Sequence, residues 1–125
     1  MLFSLLLFAC QSPRRVPAFA TRAFPELPKV SSKSTITVDA ADLIVQSDRD
    51  LPQGASVWLN ERFVLEAGPL QANQSKRFEL REFRDQFGER PVPNDFWRSD
   101  RITPLISGLL ESDGILWRTI ISVRD

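Results

Sequence analysis

Histidine and tyrosine are both absent from the 125 residues, and cysteine occurs once, as Cys10. Without histidine there is no Ser-His-Asp or Cys-His catalytic arrangement and no His-ligated metal site, and one cysteine cannot form an internal disulfide. Basic and acidic side chains are equal in number, 16 of each, and 42% of the residues are apolar. This balance excludes a disordered charged tail and leaves room for one globular domain with no predicted metal or cofactor.

The first ten residues form an uncharged apolar run in which Ser4 is the only polar side chain. A helix that crosses a bilayer needs about 20 apolar residues, so this run is too short to span a membrane. Its length is typical of the apolar region of a secretory signal peptide, and we interpret residues 1–9 as that signal. A core strand or helix fits less well, because a proline-rich polar stretch follows at once.

The segment Leu7-Phe8-Ala9-Cys10 resembles the lipobox of bacterial lipoprotein signal peptides. The resemblance implies that Cys10 is acylated, becomes the new N-terminus and binds a membrane through its lipid. Gln11 is not the aspartate that retains many such lipoproteins in the inner membrane. The implied location is the cell envelope, on the outer membrane where the host has one.

Two features leave other processing routes open. No basic residue precedes the apolar run, so either the true start lies upstream of Met1 or the signal is atypical. In addition, Ala18-Phe19-Ala20 is an A-x-A pattern, and cleavage after Ala20 would give a soluble secreted protein.

Residues 10–34 are predicted to be a lipidated cysteine followed by a basic, proline-rich tether. The stretch after Cys10 contains four prolines and five basic side chains against one acidic side chain. Prolines favour extended polyproline II backbone, so residues 11–34 would reach roughly 70 Å when fully extended. The positive charge fits either a solvated spacer or attraction to anionic headgroups, and Phe19 and Phe24 are able to pack on the domain instead.

Residues 35–125 show short β-rich segments separated by turn residues, which predicts an all-β domain. Asn60-Glu61 and Ser112-Asp113-Gly114 are hairpin signals, and Ile115 to Val123 alternates as one half-buried final strand. These features predict a two-sheet antiparallel β-sandwich, of which an immunoglobulin-like arrangement is one form. Leu80, Phe83 and Phe87 recur at helical spacing before Gly88, which predicts one short connecting helix over residues 80–87.

The run from Phe83 to Arg90 follows a Phe-x-x-x-x-Gly-x-Arg pattern, and Asn60 ends an earlier predicted strand. Together, residues 57–90 weakly resemble some bacterial domains of unassigned function. The resemblance implies no activity and no site residue.

Phe96 and Trp97 are the candidate partner-binding residues, because adjacent aromatics in a loop can stack on a sugar ring or anchor a protein. The alternative is that both fold back to close one end of the sandwich. Residues 81–101 mix arginines and aromatics, but their charges cancel, so no nucleic-acid binding is expected.

The predicted function is a membrane-anchored binding or interaction module, with an envelope protein or a glycan as partner. No catalytic constellation appears, since the glycines are isolated and no carboxylate spacing marks an acid–base pair. The alternatives are a carboxylate-based hydrolase acting on envelope polysaccharide and a structural component of the envelope.

Overall fold

The computed structural model describes residues 22–91, 105 and 107–124. This part of the chain forms strands β1 (Lys29–Val30), β2 (Thr35–Asp39), β3 (Asp42–Gln46), β4 (Ser56–Leu59), β5 (Phe63–Glu66), β6 (Ser75–Glu79), β7 (Gly108–Ser112), β8 (Ile115–Arg118) and β9 (Ile120–Arg124). Hairpins join β2 to β3, β4 to β5 and β7 to β8. The predicted turns at Asn60-Glu61 and Asp113-Gly114 supply the positive φ angles that such tight hairpins require.

The strands form two sheets, in the orders β1-β8-β7-β4-β5 and β6-β3-β2-β9. The predicted all-β sandwich is therefore confirmed, but the sheets are mixed, because β1 runs parallel to β8 and β9 runs parallel to β2. From β2 to β8, the first, second and fifth strands share one sheet and the other four share the second. In the seven-stranded immunoglobulin domain the fourth strand joins the first, second and fifth, whereas here the fourth strand, β5, pairs with β4 in the other sheet, so the immunoglobulin-like form stays a prediction.

The main core lies between the two sheets. Alternate residues of β2 and β3 point inward and are fully buried, as the period of two in a half-buried strand requires. They meet inward-facing residues of the five-stranded sheet, and the buried cluster includes Ile36, Val38, Leu43, Val45, Val57, Leu59 and Leu110.

The chain changes sheets at Thr119, between β8 and β9. Thr119 donates two hydrogen bonds to the Gly108 carbonyl, from its backbone N–H at 3.2 Å and its hydroxyl at 2.8 Å. Ile120 then donates to the Ser34 carbonyl and starts the pairing with β2. The prediction of one continuous strand from Ile115 to Val123 is therefore wrong, because side-chain alternation continues across a residue at which the backbone changes partners.

The predicted helix over residues 80–87 is also wrong. Only Leu80–Glu82 is helical, as a single 3-10 turn, and Phe83 already has an extended backbone. Leu80 and Phe83 are both fully buried, and a single 3-10 turn is enough to point two side chains three residues apart to the same side. Phe87 is the third member of the predicted apolar face, and its side chain is exposed.

The folded body begins before the predicted boundary at residues 34 and 35. β1 lies within the predicted tether and pairs with β8, and Leu116 donates a 2.9 Å hydrogen bond to the Pro28 carbonyl. We call residues 22–28 the strap, because they run over the outer face of the five-stranded sheet. Within the ranges described, no helix is both long enough and apolar enough to cross a membrane.

Candidate functional site

The outer faces of the two sheets differ in chemistry. On the four-stranded sheet, Arg77 bridges Asp42 at 2.9 Å and Asp39 at 3.2 Å, in an exposed polar ladder. On the five-stranded sheet the outer face is apolar, with a second buried cluster of Trp58, Val64, Leu109 and Leu116. This second face therefore needs a cover, and the strap supplies part of it.

The strap covers that cluster with its apolar side chains. Phe24 and Leu27 both pack on the cluster. The ring of Phe24 meets the indole of Trp58 edge-on, at 5.2 Å between centroids and 86° between planes. Edge-to-face contact is a favoured geometry for aromatic pairs.

Polar contacts fix the start of the strap over the same tryptophan. Arg22 forms an ion pair with Glu111 and donates a 2.9 Å hydrogen bond to the Ser56 hydroxyl. Glu111 also accepts a 2.8 Å hydrogen bond from the indole N–H of Trp58, and the Arg22 guanidinium lies 5.2 Å from the indole centroid. Further along, Lys29 forms a 2.7 Å ion pair with Glu61 in the β4–β5 turn.

A second rigid element lies near the start of the strap, in the loop of residues 85–89. The Asp85 side chain is only 1% exposed and accepts backbone N–H bonds from Phe87 at 2.9 Å and Glu89 at 2.8 Å. Backbone bonds from Asp85 to Glu89 and from Gly88 back to Asp85 close the loop. Gly88 has a φ of +84°, which glycine adopts without steric strain.

Arg62 ties this loop to the β4–β5 hairpin. Its guanidinium donates to Asp85, with a Nε–Oδ2 distance of 3.0 Å, and reaches the exposed Glu89 at 3.2 Å. The same guanidinium lies 4.7 Å from the ring centroid of Phe63. The buried Asp85 carboxylate and the Phe63 ring orient the half-exposed Arg62 side chain, which lies beside the loop.

Phe87 projects from this fixed loop into solvent, and 76% of its surface is exposed. The backbone that carries it is held by Asp85, and among the described residues no buried packing explains a large apolar side chain at that position. An exposed aromatic on an ordered loop is a common anchor in protein interfaces.

The strap, the β4–β5 turn and the 85–89 loop enclose a cleft of about 270 Å³. It is lined by Arg22, Ala23, Phe24, Glu61, Arg62, Asp85, Gln86 and Phe87. We call it the Phe24–Phe87 cleft, after its two aromatic side chains. Its formal charges cancel, since two arginines face two carboxylates.

Hydrogen bonding keeps two aspartates ionised. Burial alone would raise the pKa of Asp85, but the N–H of Glu89, the Arg62 guanidinium and the N–H of Phe87 together hold it below its ordinary value. Asp48 behaves in the same way: burial opposes ionisation, and bonds from the Lys33 N–H, Arg49 and Ser34 lower the pKa. At neutral pH these two carboxylates are ionised and accept hydrogen bonds. The general acid of a glycosidase needs a raised pKa, so neither Asp48 nor Asp85 suits that role.

The sequence-predicted site residues Cys10, Phe96 and Trp97 lie outside the residues that the structure describes. The cleft was not predicted as a site. Its one sequence signal was Asp85-x-Phe87-Gly88, which fits an Asx turn as well as a helix end. Asn60, from the resemblance to bacterial domains, joins its turn to β7 by exchanging two hydrogen bonds with Ser107.

Comparison with known proteins gives no matching family model, no matching curated protein and no matching solved structure.

Proposed function

We propose that this chain is an exported lipoprotein, anchored in the cell envelope through Cys10, whose β-sandwich binds a partner at the Phe24–Phe87 cleft. The observation that carries the binding role is Phe87, an exposed ring on a loop fixed by the buried Asp85 carboxylate. The apolar run before Cys10 and its lipobox pattern support export and anchoring.

Preorganisation is the physical reason for choosing this site. Binding orders side chains and loops, at a cost of about 0.5–1.5 kcal/mol for each flexible side chain that is immobilised. The backbone of the 85–89 loop is already ordered by Asp85, so a partner that binds there has to immobilise the Phe87 side chain but not the loop. Arginine and aromatic side chains, which line this cleft, are also enriched in protein interfaces.

Photo-crosslinking in intact cells tests the binding role. A benzoylphenylalanine placed at position 87 of the full chain is expected to form a discrete adduct on irradiation. The matched control carries the same group at Asp113, an exposed residue of the β7–β8 turn. Adducts of the same kind and yield at both positions would contradict a site at the cleft.

Metabolic labelling tests the anchor separately. A fatty-acid analogue is expected to label the full chain but not the Cys10→Ser variant, because acylation needs the thiol. Equal labelling of both chains, or cleavage after Ala20, would remove the lipoprotein part of the proposal and leave the cleft untouched.

A further inference from the structure

We infer that the ligand of the Phe24–Phe87 cleft is a single aromatic side chain, presented by an uncharged segment of a partner protein. This inference rests on the proposed function and specifies the chemistry of the partner.

The size of the cleft limits the ligand. Pockets for drug-sized ligands measure about 300–1,000 Å³, and this cleft has about 270 Å³. One ring-bearing side chain fits that volume, whereas an oligosaccharide of several rings does not. The cleft is also partly open to solvent, as it must be for a side chain that stays attached to its own backbone.

The walls select for an aromatic group. Phe87 offers the exposed ring, Phe24 and Arg62 also line the cleft, and a hydrogen bond to Asp85 orients the Arg62 guanidinium. A π-system gains edge or stacked contact with the phenylalanines and a cation–π contact with the arginine. An aliphatic side chain would gain only the buried area.

The electrostatics select for a neutral segment. Arg62 is paired with Asp85 and Glu89, Arg22 with Glu111, and Glu61 with Lys29. A charged ligand would have to compete with these pairs, because the lining has no net charge to offer it. A carboxylate or an ammonium group next to the aromatic ring would therefore gain no net electrostatic attraction from the cleft.

Titration of the full chain with N-acetyl-tryptophanamide, followed by amide chemical shifts, tests the ligand class. We expect shifts concentrated at Arg62 and residues 85–88, with a Kd on the order of 1 mM for so small a probe. Phe87→Ala should weaken binding at least ten-fold, whereas Phe87→Tyr should retain it. Asp113→Asn is the matched control and should bind as the wild type does.

Charged and carbohydrate probes complete the experiment. N-acetyl-tryptophan and tryptamine, the anionic and cationic analogues, are expected to bind no tighter than the neutral amide. Binding of chitotetraose at these residues without binding of the amide would overturn the inference in favour of a glycan, and so would amide shifts spread evenly over the domain. If the cell crosslink at position 87 forms while the amide fails to bind, the proposed binding role stands and only the ligand class is wrong.

Discussion

Phe24, from the segment predicted to be a tether, meets the indole of Trp58 edge-on at 5.2 Å. Trp58 lies in β4, whose four residues are all buried, although strands of a sandwich normally bury one face. At β4, the five-stranded sheet is therefore covered on both faces. The four-stranded sheet packs on one face and the strap on the other. Residues 22–30, the strap and β1, are therefore part of the fold.

Phe24→Ala should destabilise the domain by about 1–3 kcal/mol. A fully buried phenylalanine costs roughly 3–5 kcal/mol when truncated, and Phe24 is only half-buried. Phe87→Ala is the matched control, and its expected change is within ~0.5 kcal/mol because the ring is exposed. Denaturant unfolding of the two full-length variants measures the difference, and equal losses would contradict the role given to the strap.

Asp85→Asn should cost about 2–3 kcal/mol, since hydrogen bonds to a charged group are worth roughly 1.5–3 kcal/mol and the amide cannot replace both carboxylate oxygens. Asp113→Asn serves as the control, because Asp113 is exposed and asparagine tolerates its φ of +53°. Thermal or denaturant unfolding reports both. An Asp85→Asn variant as stable as the control would mean that the 85–89 loop does not depend on the carboxylate.

Stability should fall on acidification below about pH 4. The pKa values of Asp48 and Asp85 are lowered in the folded state, so the unfolded chain binds protons first as the pH decreases. The stabilisation is complete above the unfolded pKa, near 3.9, and is lost as the pH falls through the lower folded pKa values. Unfolding free energies measured from pH 6 to pH 2 should show a shallower decline for Asp85→Asn than for the wild type.

Gly68→Ala should destabilise the protein by about 3 kcal/mol or more. A Cβ at Gly68 would lie 1.8 Å from the Pro52 carbonyl oxygen, and backbone cannot move aside as a side chain can. At Gly108, a Cβ would lie 2.6 Å from the terminal methyl of Ile36, so Gly108→Ala should cost less. Adding Ile36→Val should recover part of the Gly108→Ala loss and none of the Gly68→Ala loss, which a double-mutant cycle in denaturant would detect.

Local patterns were sufficient to predict the sandwich. Alternation in residues 35–38 and 43–46 and the turns at Asn60 and Asp113 specify paired strands with one buried face. The change of sheet at Thr119 could not be predicted in the same way. Alternation of apolar and polar residues indicates which side chains face the core, but not which strand the backbone is hydrogen-bonded to.

The candidate site was harder to predict, because its parts are unremarkable alone. Prolines 25 and 28 suit a linker, and only the outward position of Trp58 shows that a cover is needed. In the sequence, Phe87 lies at helical spacing from Leu80 and Phe83. Only the hydrogen bonds that the Asp85 carboxylate accepts show that residues 85–89 form a loop and not a helix.

The strap also changes how far the domain can travel from its anchor. Under the proposed lipidation of Cys10, 11 residues, Gln11 to Thr21, separate the anchor from residues 22–34, which lie on the sandwich. At about 3.1 Å per extended residue, the reach is roughly 34 Å, half of what the whole proline-rich stretch would allow. Arg22, where the described part of the chain begins, lines the Phe24–Phe87 cleft and is held to β7 by its ion pair with Glu111, so a pull on the proposed anchor would load this ion pair. Under that proposal, a partner at the cleft would be bound within this distance of the membrane, and the force from the anchor would act on the wall of the binding site itself.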